Sequence, residues 1–149
     1  MPPDPAFRGD PYRPLKRVLD RHPLTETVRY RPSVAEKRYL EATVAPERVD
    51  DVVGPDPPLV TVRWSRQPPY DEYRVDFADP NVDFHCGWHR DDDHPEYGPL
   101  HLQYDHPGLD DPVYEAATVE PTTPPRILWE LLARLFEDVV PELVAPLYG

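Results

Sequence analysis

Apolar and polar residues alternate along much of this chain, and near its C-terminal end the period changes. Residues 59–66 set Val60, Val62 and Trp64 against Thr61, Arg63 and Ser65, the two-residue period of a half-buried strand. Gln67-Pro68-Pro69-Tyr70-Asp71 breaks it, and Tyr73, Val75 and Phe77 then alternate with Arg74 and Asp76. A turn at Asp79-Pro80-Asn81 leads into Val82, Phe84, Cys86 and Trp88, alternating with Asp83, His85, Gly87 and His89. Beyond an acidic loop over 91–99, Leu100, Leu102 and Tyr104 alternate with His101, Gln103 and Asp105. Weaker strand signals occur at 25–31 and 38–45. From Thr122 or Thr123 the period becomes helical. Pro124 and Pro125 suit a first turn, and Ile127, Leu128, Leu131, Leu132, Leu135, Phe136 and Val139 form one apolar stripe. Pro141 is expected to kink or end this helix.

This order predicts an α+β fold: an antiparallel β-meander of about four to six strands with a C-terminal amphipathic helix packed on its apolar face. Val62, Trp64, Val75, Phe77, Phe84, Trp88, Leu102, Leu128, Leu131, Leu135 and Phe136 are expected to share one core. Prolines crowd residues 1–23, which read as an N-terminal arm ahead of a single domain over 24–149. Within the arm only Leu15, Val18 and Leu19 suggest a short helix, and residues 1–12 are expected to pack loosely. The alternation has a further consequence. With Val, Phe, Trp and Leu turned inward, Arg63, Arg74, Asp76, His85, His89, His101 and Gln103 gather on the opposite face, so Trp88 should be buried and His89 exposed.

The chain of 149 residues carries a net charge of −12, and its 16 basic residues include only two lysines, Lys16 and Lys37. A surface rich in Asp, Glu and Arg and poor in Lys resembles that of proteins adapted to a high-salt cytoplasm, where self-repulsion is screened. Acidity of that origin does not exclude an RNA substrate, although most nucleic-acid affinity comes from neutralising phosphates. A lone cysteine, Cys86, excludes an internal disulfide and, alternating with Phe84 and Trp88, is expected to be buried. With neither a leader nor a long apolar run, a cytoplasmic protein without membrane contact is expected. No nucleotide-binding, zinc-peptidase or serine-hydrolase signature is present.

The candidate chemistry is concentrated. Five of the six histidines are His85, His89, His94, His101 and His106. Imidazole titrates near neutrality and ligates metals. On the polar face one histidine can act as base and another as acid while arginines stabilise developing negative charge. RNA would need no protein nucleophile, because its 2′-OH can attack its own phosphate. His85 and His101 are expected to meet across adjacent strands, with His89, His94 and Asp91 completing the catalytic set and Arg63, Arg74, Arg90 and Gln103 holding the substrate. The competing reading is a divalent metal, zinc or manganese, held by His85 and His101 with His94 or Asp91. Its spacing matches no specific zinc signature, and no other cofactor is expected.

The strand ending in Arg74-Val75-Asp76-Phe77, the turn from Gly87-Trp88-His89-Arg90-Asp91-Asp92-Asp93-His94 to Pro99, the strand Leu100-His101-Leu102-Gln103 and the Leu-rich helix together resemble the TumE-like family of toxins from toxin–antitoxin systems. The resemblance spans roughly residues 60–140. It departs from that family's aromatic-Asp-Asn core, where this chain reads Trp88-His89-Arg90-Asp91. It implies a small α+β toxin acting on RNA or a translation component, restrained by a cognate antitoxin, and implicates His89, Asp91, His94 and His101, with His85 and Arg74 nearby. The alternative is a non-enzymatic interaction module of a halophile, whose sheet and helix dock a partner or form a homodimer.

Overall fold

The computed structural model describes residues 11–66 and 70–149. Each alternating stretch forms a strand: β1 (Thr25–Arg31), β2 (Tyr39–Val44), β3 (Leu59–Ser65), β4 (Glu72–Asp79), β5 (Phe84–Arg90) and β6 (Leu100–Asp105). A further strand, β7 (Val113–Ala116), brings the sheet to seven. Its four residues are too few for their period to stand out. Every strand pairs antiparallel with its neighbour in sequence, giving an open meander ordered β1 to β7. The fold is thus α+β, with one strand more than the upper count expected.

One face of the sheet is apolar, and helices cover it. The stripe read from the sequence becomes α2 (Pro124–Arg134), with Ile127, Leu128, Leu131 and Leu132 buried against Val62, Trp64, Val75, Phe77, Phe84 and Trp88. Leu102 and Phe136 pack on the edge of the same core. Arg134 and Glu130, one turn apart, pair at 3.4 Å on the outer side of α2. Pro141 does not end the helical segment. The chain continues over Leu135–Val144 in the wider π winding, where Leu135, Val139, Val140 and Val144 are buried at spacings of four and five, and a 3₁₀ turn over Ala145–Tyr148 follows.

The helix suggested within the proline-rich arm forms, and it packs more tightly than expected. Residues 12–21 form a helix, α1 (Tyr12–Arg21), whose Leu15 and Leu19 are fully buried in the common core. Tyr12 is buried too. Its hydroxyl donates to the Arg38 carbonyl at 2.6 Å and accepts the Trp64 N–H at 3.1 Å, so loose packing does not extend to it. The remainder of that expectation, residues 1–10, lies outside the described residues. The far end of β4 is held by a second polar anchor. Asp79, also fully buried, accepts the Asn81 backbone N–H at 3.0 Å, the Asn81 Nδ2 at 2.9 Å and the Tyr148 hydroxyl. Burial, reinforced by that carboxylate, pushes the Tyr148 phenol up to about 12. Among the described residues no helix is long and apolar enough to cross a membrane.

Candidate active site

Register decides which polar-face residues meet. In the ladder Arg63 faces Arg74, Arg74 faces His89, and His89 faces His101. These four side chains form one row across four strands at the usual strand separation of about 4.8 Å. A parallel row runs Thr61, Asp76, Gly87, Gln103 and Tyr114. His85 faces Asp105 instead of His101. It is two strand repeats from His89, about 13 Å along β5, and contacts Asp83 in the exposed turn at 3.3 Å. The expected His85–His101 pair is therefore replaced by His89–His101, whose ring centres lie 5.7 Å apart.

His89 is the best-positioned proton carrier of the row. Its Nε2 lies 2.7 Å from Asp76 Oδ1. With Asp76 ionised, Nε2 carries the proton and donates it, which leaves Nδ1 as the acceptor and fixes the ring. Gly87 permits this contact. A Cβ at that position would stand 1.9 Å from Asp76 Oδ1 and 2.9 Å from His89 Nε2, so the Asp76–His89 pair lies over bare backbone.

The outer face is not uniformly solvated, which changes the expected exposures. Trp88 and His89 are both buried, at 2% and 7% exposure, and His101 is at 0%. The facing itself holds, since Trp88 opposes Val75 and Leu102 while His89 opposes Arg74 and His101. What differs is a second cover. The 91–99 loop sets His94 5.0 Å from the His101 ring and 4.8 Å from Tyr114, and Tyr97 stacks on Tyr114 at 5.4 Å. Both ring nitrogens of His101 lack a hydrogen-bond partner. Burial lowers its pKa, opposed by the Asp91 carboxylate and reinforced by His89, His94 and Arg74.

The remaining candidates divide. Arg63 lies over the Tyr39 ring at 4.3 Å, and Arg74 sits 3.9 Å from both Asp91 and Asp93. Both line a groove of about 360 Å³ together with Asp91 and Asp93. Asp91 accepts the Asp93 N–H at 3.1 Å and so shapes the loop. Gln103 lines a second hollow, of about 450 Å³, with Asp76 and His85. Arg90 lines the first groove as well, from the end of β5. It alternates to the inner side with Trp88, donates to the Asp71 carbonyl at 2.9 Å and stacks over Tyr70 at 4.5 Å. Cys86 is buried as expected, and burial pushes its thiol up, out of nucleophilic range.

The ligand set His85, His101 and His94 or Asp91 is not assembled, because His85 is remote. Among the described residues no three His, Cys, Asp or Glu side chains are arranged to hold one metal ion. Sequence reasoning did not single out Asp76 as the partner of His89, Gly87 as its floor, or Tyr97 and Tyr114 as the cover. A glycine inside an alternating strand and two tyrosines flanking polar loops were the signals available. No family model, no curated protein and no solved structure matches the chain.

Proposed function

We propose that this protein is the toxin member of a toxin–antitoxin pair, working in the cytoplasm of a halophile, and that its outer sheet face cleaves RNA by proton transfer. The observation that carries the reading is the 2.7 Å contact of Asp76 with His89, laid over Gly87 and in line with Arg74 and Arg63. In this reading His89 Nδ1 takes the proton of a ribose 2′-OH, the 2′-oxygen bonds to the adjacent phosphorus, and the bond to the 5′-oxygen breaks. Arg74 and Arg63 offset the charge that builds on the phosphate. His94, half-buried on the loop, gives the leaving 5′-oxygen its proton, so the products are a 2′,3′-cyclic phosphate and a 5′-hydroxyl. No metal enters these steps.

Incubating the purified chain with a single-stranded RNA at high salt and analysing the ends tests this. The expected result is 2′,3′-cyclic phosphate termini, lost in His89→Ala and reduced in Asp76→Asn, with host growth arrest lost in the same variants. Arrest that survives His89→Ala with Asp76→Asn, or intact RNA with the native chain, overturns it. The interaction-module reading is favoured by one observation, the complete burial of His101, whose nitrogens reach neither solvent nor partner. A concentration-dependent dimer without RNA cleavage would select that reading.

A further inference from the structure

We propose that the hollow beside the Asp76–His89 pair is a nucleobase pocket that selects a base carrying an exocyclic amine. The proposal rests on the RNA reading above and names the part of the substrate that confers specificity. The hollow encloses about 450 Å³, within the usual range for small-ligand sites, and its walls include Thr61, Asp76, Gln103, Asp105 and Tyr114.

Four of these, Thr61, Asp76, Gln103 and Tyr114, belong to the row that lies two residues along the strands from the Arg63–Arg74–His89–His101 row. Two residues of strand span about 6.7 Å, close to the reach from a phosphate to the base of the same nucleotide. A phosphate held at the arginines therefore brings its base past the Asp76–His89 pair to the hollow lined by Thr61, Asp76 and Gln103. The arginines favour such a ligand. They face each other directly on paired strands; Arg74 is already met by the Asp91 and Asp93 carboxylates at 3.9 Å, whereas among the described residues no ion pair involves Arg63, which leaves its charge for a phosphate.

The chemistry of the walls sets the preference. Ionised Asp76 and Asp105 are pure acceptors, and Gln103 offers one acceptor beside its donors. An amino group, as on cytosine, adenine or guanine, donates to both carboxylates and the Gln103 oxygen, whereas the O4 carbonyl of uracil is repelled by the carboxylates and must rely on the neutral Gln103 amide or a wall hydroxyl. Tyr114 adds an aromatic wall for the ring, braced by Tyr97 stacked on it at an interplanar angle of 16°.

Calorimetric titration of the full chain at high salt with 3′-CMP, 3′-AMP, 3′-GMP, 3′-UMP and inorganic phosphate tests the pocket. Amine-bearing nucleotides should bind about fivefold or more tightly than 3′-UMP. Gln103→Ala with Asp105→Ala should bring all four within about twofold while inorganic phosphate affinity holds, circular dichroism checking the fold. The same preference in His89→Ala, a variant without cleavage, supports a pocket separate from the proton transfer. Equal binding of all four nucleotides while RNA is still cleaved overturns the pocket and leaves the RNA reading intact. A preference unchanged by the double substitution also overturns it. No binding by any nucleotide or by phosphate overturns both.

Discussion

Asp79 and His101 are each completely buried, and the fold treats them in opposite ways. Asp79 receives donors from Asn81 and Tyr148 and ties the β4–β5 turn to the C-terminal 3₁₀ turn. Asn81 extends the tie, receiving the Asp56 N–H at 2.9 Å and donating to the Asp56 carbonyl at 2.7 Å. His101 has rings on several sides and no partner for either nitrogen. Each buried polar group left unpaired costs about 1–3 kcal/mol, so the first residue stabilises the fold and the second detracts from it. A polar side chain buried for structure is saturated with partners. One buried without them points to a site whose missing partner comes from elsewhere.

The largest expected effect is at the saturated end. Asp79→Ala strands the Asn81 amide and the Tyr148 hydroxyl and should destabilise by about 2–4 kcal/mol in denaturant titration. A loss below about 0.5 kcal/mol would end the contrast. Gly87→Ala inserts a methyl group where Asp76 Oδ1 now lies, so the carboxylate must leave His89. RNA cleavage should fall by about tenfold or more, while stability drops by only about 1 kcal/mol. Equal activity in the variant would detach Asp76 from the chemistry.

Removing the unpaired imidazole should act in the other direction. His101→Phe is expected to gain about 1 kcal/mol in stability, because no hydrogen bond is lost and two orphaned polar atoms disappear. A loss of comparable size would show that His101 has a partner in solution. The smallest effect is the pH dependence of that difference. Burial holds the folded-state pKa of His101 below its ordinary value near 6.5, so the unfolded chain binds the proton more readily. The neutral form's contribution is fully present above about pH 6.5 and declines as pH falls below it. Thermal melts of native chain and His101→Phe should therefore diverge further at pH 5 than at pH 8, the native chain losing more.

The faces of the strands were legible in the sequence and the register was not. Alternation alone assigns His85, His89 and His101 to one side, since the side-chain period is fixed at two. Which of them oppose each other depends on where the β5–β6 hairpin is centred, and a loop over 91–99 leaves that open, unlike a two-residue turn. The chain centres the hairpin on Pro95, using a 3₁₀ turn over Pro95–Tyr97 and Gly98 at φ 84°, so His89 faces His101 and His85 faces Asp105. The second cover was hidden for a related reason. Tyr97 lies in an acidic loop and Tyr114 in a strand of four residues, and neither local pattern reveals that the two rings stack over the histidines. Arg90, which the period of β5 turns inward with Trp88, still reaches the groove lined by Arg63 and Arg74 because it is the last residue of its strand.

The sequential order of the strands bears on how the chain is made. Each strand pairs with the one synthesised just before it, so the sheet can extend hairpin by hairpin, but most of its apolar face is bare until residues 124–148 follow and cover it. Synthesis at roughly 5–20 residues per second holds that face open for seconds. During that interval the nascent sheet is at its most adhesive. The dense negative charge of the finished surface, already present on the emerging segments, keeps neighbouring nascent chains apart until the C-terminal helix closes over the core.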